Sequence, residues 1–433
     1  MTSASSPRFR SLLLALAAAG ALSTAAAPQA HAEAQLLIEA ATGKVLHAEN
    51  ATYPWYPASV TKLMTAYTVL REIKERRITL NTLLTVTRDA AAQQPTKMGF
   101  KVGTTVTVDN ALKMLMVKSA NDVAVTLAEG VGDSLEGFAD KMNANARRLG
   151  MTQSHFVNPN GLPAENHVSS ARDLGILARA LILEFPQYDS FWHISSIRYG
   201  NRVMRNYNSL IDRYPGADGM KTGFICASGY NVVASATRNG RRLIAVVLGA
   251  WSGAVRAQKA AQLLERGFNS GGLTWLTPSL GTVDALAPID AQPPNLREEM
   301  CGGHRRKPPS EENEEEAPDE VAGAANAAGE GGNSGQAFML SALKPAAGKF
   351  VLGPPVETAA PVVVFTGPAD HPDTVPQVAS GGGKKKKKVA AKTEGKPEQT
   401  GDKAAAKPAA KKTAKKPAQG AKPAKPKVSS ANQ

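Results

Sequence analysis

The chain has few of the residues on which metal and histidine chemistry depend. Seven histidines and two cysteines occur among 433 residues. Neither of the helical zinc signatures of metallopeptidases, His-Glu-x-x-His and His-x-x-Glu-His, is present. No serine lies in the Gly-x-Ser-x-Gly turn of the α/β-hydrolases, and no histidine belongs to an evident catalytic triad. We therefore expect no metal and no other cofactor, so any serine nucleophile needs a base other than histidine.

Two cysteines are also too few for a disulfide framework. An oxidising compartment permits a single bridge between Cys226 and Cys301. Cys301, however, lies in a stretch rich in glycine, arginine and proline, for which the sequence predicts no fixed position. We expect two free or transiently oxidised thiols.

The sequence has no apolar run long enough for a transmembrane helix. A shorter run, Leu12 to Ala27, follows two arginines and leads to the small-x-small pattern Ala30-His31-Ala32. This arrangement is typical of a secretory signal peptide. We expect cleavage after residues 1–32, a mature chain that starts at Glu33, and secretion to the periplasm or the outer face of the cytoplasmic membrane.

The net charge of +14 is concentrated at one end. Sixteen lysines and three acidic residues between Lys384 and Gln433 give that segment a charge of +13. An exported chain does not meet nucleic acid, so we expect no nucleic-acid partner. Because prolines interrupt the tail, it cannot present an apolar helical face. Any contact of this tail with an anionic membrane or wall is then electrostatic and salt-sensitive, and the alternative is a solvated, proteolysis-prone appendage.

Residues 33–270 have the hydrophobic periodicity of one globular unit of the α+β class. A β-hairpin opens it and amphipathic helices follow. Short strands from Gly219 to Ala250 and a final helix over Ala254–Phe268 then close it. This order predicts an antiparallel sheet flanked by helices, with a second lobe that is mostly helical.

The periodicity fades after residue 270. We interpret residues 271–380 as a low-complexity linker that contains a short apolar island, Phe338–Phe365, able to add a strand or two. Residues 381–433 form a tail rich in lysine, alanine and proline. Such a composition buries too little apolar surface to offset the entropy of ordering, so we expect a disordered C-terminal tail.

Ser59-Val60-Thr61-Lys62 is the first segment whose side chains are suited to catalysis. A serine and a lysine three positions apart lie on one face of a helix, one turn from each other. Lys62 can therefore act as the general base that takes the proton of a Ser59 nucleophile. A helix that starts at Ser59 also directs backbone N–H groups towards developing oxyanion charge. Alone, this pattern is more often an exposed helical turn.

Two further motifs follow in the order that one enzyme class requires. Ser119-Ala120-Asn121 lies between two predicted helices, where Ser119 can relay a proton and Asn121 can bind a substrate carbonyl and orient the lysine. Lys221-Thr222-Gly223 ends a short strand. Its charge and hydroxyl suit a carboxylate, and its glycine lets an extended peptide approach the edge. Each is unremarkable alone, but together they match the motif set of penicillin-binding proteins and class A β-lactamases.

The wider sequence resembles the low-molecular-mass penicillin-binding proteins, which are serine-type D-alanyl-D-alanine carboxypeptidases. The similarity covers nearly all of residues 33–268, including Pro57 to Thr65, Asn158 to Leu162 and Asp218 to Gly223. It implies a β-lactamase/transpeptidase-like fold and an acyl-enzyme on Ser59. The implied substrate is a peptidoglycan stem peptide ending in D-Ala-D-Ala, and the implied inhibitors are β-lactam antibiotics.

The resemblance also assigns roles around these motifs. Ser59 is the nucleophile, Lys62 its base, and Ser119 and Asn121 complete the network, while Lys221 and Thr222 hold substrate. In such enzymes an arginine about thirty residues after Lys-Thr-Gly helps to bind the terminal carboxylate, a position that Arg256 matches. The N–H groups of residues 59 and 224 would form the oxyanion hole. Many relatives have histidine where this chain has Phe224, and their β-rich second domain is not recognisable after Gly271.

Three alternatives remain open. A D,D-endopeptidase that cleaves cross-links would use the same motifs. A β-lactamase would need a loop glutamate to activate water, and Glu165-Asn166 lacks the spacing of that motif. A non-catalytic wall-binding protein would act through the basic tail, but it would have no use for Ser59 in register with Lys62.

Overall fold

The computed structural model describes residues 33–270, 279–303, 351–356, 359–370 and 372–373. The predicted signal peptide, the apolar stretch at 338–340 and the lysine-rich tail lie outside these residues. None of the described helices has the length and apolar character that crossing a membrane requires.

In the described part of the chain, ten strands form three sheets. In chain order they are β1 Ala34–Glu39, β2 Val45–Glu49, β3 Leu83–Thr85, β4 Thr105–Thr107, β5 Ser196–Tyr199, β6 Arg202–Arg205, β7 Ala217–Ile225, β8 Gly229–Arg238, β9 Arg241–Ala250 and β10 Val362–Val363. The main sheet has the order β2-β1-β9-β8-β7 with antiparallel neighbours throughout, so β7 is an edge strand. The predicted antiparallel sheet is therefore confirmed, and the strand that carries Lys-Thr-Gly has one side unpaired within the sheet.

The helices supply the second part of the architecture. They are α1 Lys62–Lys74, α2 Arg88–Ala92, α3 Val108–Val117, α4 Asn121–Gly132, α5 Leu135–Leu149, α6 Ala171–Glu184, α7 Leu210–Arg213, α8 Gly253–Asn269 and α9 Arg297–Cys301. Serine side chains start three of them: Ser134, Ser170 and Ser252 each accept a hydrogen bond from the backbone N–H three residues later. Such caps satisfy N–H groups that the helix itself leaves unpaired.

Two buried clusters hold the helices to the main sheet and to each other. Alanine and leucine side chains of α8, including Ala260 and Leu264, pack on one face of β8 and β9 against Val232 and Val247. The other cluster joins the opposite face of the sheet to α6 and to the lobe built from α1, α3, α4 and α5. The active-site motifs lie where the sheet meets this helical lobe, as the α+β interpretation predicts.

The packed unit extends beyond the expected boundary at residue 270. Val283, Leu296 and Met300 are buried in the core, although the sequence around them has no helical or strand period. Single hydrogen bonds to earlier turns of the chain fix the backbone of this segment. The N–H of Val283 donates to Gly43 O at 2.9 Å, and the N–H of Leu296 donates to Ala227 O at 3.0 Å. Residues 279–303 are thus an irregular strap across the sheet and α6, a kind of packing that periodicity does not reveal.

The expectation of two free thiols is wrong. Cys226 and Cys301 form a disulfide that closes a loop of 75 residues in sequence separation. Cys301 gains its fixed position from α9, a helix of five residues that the buried side chains of Leu296 and Met300 anchor. The helix is too short to give a periodic signal, which is why the sequence suggested an unfixed cysteine.

The apolar island contributes one short strand where it is described. β10 pairs in parallel with β5, and Val364 is fully buried beside it. The N–H of Phe365 donates to Asn110 Oδ1 on α3 at 3.2 Å. This confirms the prediction of an added strand for the second half of the island.

Candidate active site

Ser59 lies in a 3₁₀ turn, Ala58–Thr61, that runs directly into α1. The side chain is partly exposed, whereas the residues on either side are buried. Ala58 adopts a positive φ of 50°, a conformation that costs an L-residue roughly 1–2 kcal/mol. A turn with this cost persists only where its surroundings hold it.

Hydrogen bonds from the main sheet hold the segment that precedes Ser59. Asn231 on β8 donates from Nδ2 to Tyr56 O at 3.0 Å, and its Oδ1 accepts from the N–H of Gly249 at 3.0 Å. Trp55 is buried and donates from Nε1 to Ser228 O at 3.0 Å. These contacts fix the chain before Ser59 against β8 and the turn that precedes β8.

Gly223 on β7 packs directly against the nucleophile turn. A Cβ at this position would lie 2.7 Å from Ser59 N and 2.9 Å from Val60 N, distances that no real side chain tolerates. The sequence suggested that this glycine admits a substrate backbone. The structure adds a closer reason, because any side chain would push β7 away from Ser59.

Lys62 is completely buried, and its amine reaches three acceptors. Nζ lies 2.9 Å from Ser59 Oγ, 2.8 Å from Asn121 Oδ1 and 2.7 Å from Asn160 O. The predicted pairing of Ser59 with Lys62 is therefore present with hydrogen-bond geometry. Asn160 was not a predicted site residue, since a backbone carbonyl leaves no mark in the sequence.

Ser119 lies in the loop that the second motif predicts, and Asn121 is the first residue of α4. Ser119 has a positive φ of 58°. The chain at residues 94–96 contacts both residues. Thr96 Oγ1 donates to Ser119 O at 3.0 Å, and Asn121 Nδ2 donates to Gln94 O at 2.9 Å. Asn121 thus orients Lys62 through its oxygen, while its amide nitrogen is engaged with the protein backbone.

Two hydroxyls of the site are buried without a protein partner. Ser119 Oγ and Thr222 Oγ1 have no hydrogen bond within the described residues, and both side chains are at most 1% exposed. A buried hydroxyl without a partner costs about 1–3 kcal/mol. Polar groups held in such a state next to a nucleophile are suited to bind groups of a substrate.

Lys221, Phe224 and Arg256 complete the set that the sequence proposed. Lys221 is buried on β7, and Phe224 packs on Tyr230 with ring centroids 4.3 Å apart. Arg256 is buried at the start of α8 rather than solvated, and its guanidinium donates to Tyr207 O at 3.3 Å. The predicted site residues lie on the edge strand β7, in the facing helical lobe and, for Arg256, at the start of α8.

The sequence missed a buried histidine behind the nucleophile. His167 Nδ1 accepts from the N–H of Val157 at 3.1 Å, so its other nitrogen, Nε2, carries the proton and faces Thr61 Oγ1 at 2.8 Å. Burial first, and then the nearby charges of His155 and Lys62, lower the pKa of His167 to about 3. His167 is therefore a neutral structural support of the turn, and its role could not be read from a lone histidine.

A buried lysine and tyrosine form a second unpredicted pair. Lys118 Nζ donates to Tyr207 Oη at 2.8 Å and lies 5.3 Å from the centroid of that ring. Tyr207 precedes Asn208, whose Nδ2 donates to Gly219 O on β7 at 2.8 Å. The segment therefore links the loop that carries Ser119 to the edge strand.

Comparison with known proteins agrees with this geometry. Residues 21–252, more than half of the chain, match the family described as D-alanyl-D-alanine carboxypeptidase. D-alanyl-D-alanine carboxypeptidase DacC of Escherichia coli (strain K12) is 38% identical over 267 residues, which are 59% of this chain and 66% of the relative. DacF of Bacillus subtilis (strain 168) is 34% identical over 247 residues, which are 55% of this chain and 62% of that relative.

Solved structures of penicillin-binding proteins share the fold. Penicillin binding protein 6B from Escherichia coli has a TM-score of 0.53 at 37% identity and covers 56% of this chain and 79% of its own. Penicillin-Binding Protein D2 from Listeria monocytogenes, in its cefotaxime-bound form, has a TM-score of 0.50 at 29% identity and covers 55% and 96%. The match spans about two thirds of the length of the curated relatives. With the three motifs assembled around Ser59, the chain belongs to the D-alanyl-D-alanine carboxypeptidase family.

Proposed function

We propose that this protein is an exported serine carboxypeptidase that removes the terminal D-Ala from peptidoglycan stem peptides through an acyl-enzyme on Ser59. The observation that carries the proposal is the position of Lys62 Nζ, 2.9 Å from Ser59 Oγ and 2.8 Å from Asn121 Oδ1. A serine hydroxyl is a poor nucleophile without a base, and this amine is the basic group that contacts it among the described residues.

Substrate binding follows from the free edge of β7. An extended peptide can pair with this edge by main-chain hydrogen bonds. Thr222 Oγ1 is buried, has no hydrogen-bond partner among the described residues and suits the terminal carboxylate, with the positive charge of Lys221 beside it. Arg256 reaches Asn231 O, and Asn231 lies opposite Gly223 in the strand register, so its charge adds to the same end of the cleft.

The acylation step uses the groups nearest Ser59. Lys62 takes the hydroxyl proton as Ser59 Oγ attacks the carbonyl carbon of the penultimate D-Ala. The N–H groups of residues 59 and 224 donate hydrogen bonds to the oxyanion, an arrangement that the close packing of Gly223 on the Ser59 turn supports. The C–N bond then breaks and the terminal D-Ala leaves with a proton relayed by Ser119, whose Oγ has no other partner in the described part of the chain.

Deacylation completes the reaction. Water attacks the ester carbonyl, Lys62 takes its proton, and Ser59 regains its hydroxyl as the shortened stem peptide departs. β-Lactam antibiotics enter as analogues of D-Ala-D-Ala whose ester with Ser59 is slow to hydrolyse. The structural relative from Listeria monocytogenes was solved with cefotaxime bound, which supports such inhibitors here.

Export and wall contact belong to the same proposal. Signal-peptide cleavage before Glu33 would leave the whole main sheet intact, since β1 begins at Ala34. The lysine-rich tail would then lie outside the cytoplasm, where anionic lipids and wall polymers are available to it.

The test measures free D-Ala released by the mature chain, residues 33–433, from a peptide ending in D-Ala-D-Ala and, separately, the cleavage of cross-linked peptidoglycan dimers. Ser59→Ala is the control. We expect D-Ala release that Ser59→Ala abolishes. Cleavage of the dimers without D-Ala release would contradict the proposal in favour of an endopeptidase, and turnover of penicillin without D-Ala release would favour a β-lactamase.

A further inference from the structure

A cavity of about 250 Å³ lies among three segments that are far apart in the sequence. Its lining includes Glu33 just before β1, Asn50 and Tyr53 in the turn after β2, and Gln292 and Pro294 in the strap. The strap residues lie outside residues 21–252, the segment that matches the carboxypeptidase family. A part of the chain beyond the family match therefore completes this cavity.

The polar groups of the cavity are balanced in charge. Glu33 is the charged residue of the lining, and its Oε2 forms an ion pair with Lys259 of α8. Its Oε1 is buried and has no hydrogen-bond partner among the described residues, so it can accept from a ligand. Asn50 Nδ2 donates to Glu33 O at 2.9 Å, which leaves the amide oxygen as a second acceptor. A neutral ligand with several hydroxyl or N–H donors fits this set.

Aromatic side chains supply apolar surface beside these acceptors. Trp55 is buried, and its Nε1 donates to Ser228 O at 3.0 Å, so the indole is fixed. Tyr53 is 38% exposed, and its N–H donates to Asn50 O at 3.0 Å. A sugar ring presents C–H groups on its faces and hydroxyls at its edge. Aromatic surface next to amide and carboxylate oxygens therefore suits a saccharide.

The cavity adjoins the active-site region at two points of the chain. Tyr56 and Asn295 line a neighbouring cavity that opens beside the Ser59 turn. Each directly follows a residue that lines the saccharide-type cavity, namely Trp55 and Pro294. Four residues separate Trp55 from Ser59, a span of at most about 14 Å. A sugar joined to the stem peptide a few residues before the scissile bond can reach the cavity over such a distance.

We propose that this cavity binds an N-acetylated hexosamine of the glycan strand that carries the stem peptide. Sugar hydroxyls and the acetamido N–H donate to Glu33 Oε1 and Asn50 Oδ1. The exposed amide of Gln292 binds the acetamido carbonyl, and Tyr53 covers a face of the ring. The inference rests on the proposed carboxypeptidase function and adds that the chain prefers stem peptides that are attached to glycan.

The first experiment detects the sugar site without any turnover. The full mature chain is mixed with N,N′-diacetylchitobiose or with cellobiose, which has no acetamido groups, and saturation-transfer NMR measures the affinity. We expect the acetylated disaccharide to bind about two- to tenfold more tightly, the effect of one or two added hydrogen bonds.

Variants of the lining locate this binding. Tyr53→Ala should weaken the affinity for N,N′-diacetylchitobiose about tenfold, because it removes aromatic contact area, and Gln292→Ala should weaken it about two- to tenfold. Trp251→Ala is the matched control, since Trp251 is 42% exposed and does not line the cavity. The control should bind the disaccharide as the unmodified chain does.

The second experiment measures kcat/KM for D-Ala release from one stem peptide in two forms, free and linked to its N-acetylated disaccharide. We expect about a tenfold higher value for the linked form with the unmodified chain and with Trp251→Ala. In Tyr53→Ala and Gln292→Ala the ratio of the two values should fall towards one.

Equal kcat/KM values for the two forms with the unmodified chain would overturn the inference. Disaccharide binding that Tyr53→Ala and Trp251→Ala weaken alike would also overturn it. Disaccharide binding at the cavity without D-Ala release from either form is a different result, because it would contradict the proposed function and support the sugar site.

Discussion

At the scale of single residues, the site depends on groups that are buried in a defined protonation state. His167 supports the Ser59 turn through Thr61, and the nearby charge of Lys62 is among the causes that lower its pKa. Its neutral form accepts the backbone N–H of Val157 at Nδ1, a contact that protonation would destroy. Protonation of His167 is therefore coupled to the stability of the fold.

We predict that stability falls as the pH drops below about 6.5. Since the folded pKa of His167 is lowered from 6.5 to about 3, the unfolded chain binds the proton first, and stability is lost as the pH falls between these two values. The contribution is up to about 1.4 kcal/mol per pH unit. Urea unfolding at several pH values between 7 and 4 measures it.

The comparison for this prediction is the variant His167→Gln. It should reduce the slope of the unfolding free energy against pH, because it removes the imidazole that the unfolded chain protonates first. An unchanged slope in His167→Gln would mean that other groups set the acid sensitivity.

The second prediction concerns Gly223. In Gly223→Ala the new methyl group would lie 2.7 Å from Ser59 N, so either β7 or the nucleophile turn must shift. Because small displacements of reacting groups cost up to about a hundredfold in rate, acylation by a fluorescent penicillin should slow at least about tenfold. Gly303→Ala, where a Cβ meets no atom within 4 Å, should label at the normal rate. Equal rates in both variants would contradict the close packing.

At the scale of elements, a disulfide joins the strap to Cys226, the residue that follows β7. We predict that Cys301→Ser lowers the free energy of unfolding by about 2–4 kcal/mol, because the bond to Cys226 closes a long loop in the unfolded chain. Denaturant unfolding with and without a thiol reductant measures the effect. The reductant should destabilise the unmodified chain and leave Cys301→Ser unchanged; equal sensitivity of the two would contradict a native bridge.

The regular elements could be predicted from sequence, whereas the irregular ones could not. Helices such as α5 and α6 have a full apolar period and a serine cap, so both the pattern and the ends are local properties. The strap has neither, and its burial depends on contacts with Gly43 and Ala227 from distant parts of the chain. The pairing of Cys301 in this strap depends on the same distant contacts, so the sequence analysis mispredicted it.

The site also contains residues that the sequence predicts and residues that only the folded chain identifies. Ser59, Lys62, Asn121 and Thr222 belong to short motifs whose spacing implies their geometry, and the structure brings them together. The carbonyl of Asn160 acts through the backbone, which no residue type reports. The positions of His167 and Tyr207 depend on tertiary packing, so only the folded chain identifies them.

At the scale of the whole molecule, a nearly neutral catalytic unit precedes a strongly basic tail. We predict that the chain with the tail binds vesicles containing anionic lipid at low salt and dissociates from them at about 0.5 M salt, where charges are screened within a few ångströms. Deletion of residues 384–433 should abolish binding and leave D-Ala release unchanged. Binding that survives either the deletion or high salt would contradict an electrostatic tail.

The central claim is that Lys62 activates Ser59, and the rate of Ser59 acylation by a penicillin tests it most directly. The unmodified chain, Lys62→Met and Ser59→Ala would be compared by the amount of penicillin-labelled protein at set times after mixing. Mass spectrometry would identify the labelled peptide. We predict labelling at Ser59, none in Ser59→Ala, and a rate reduced about 10²–10⁴-fold in Lys62→Met, the usual contribution of a general base. A folded Lys62→Met variant that acylates at the unmodified rate, or labelling at another residue, would contradict the account.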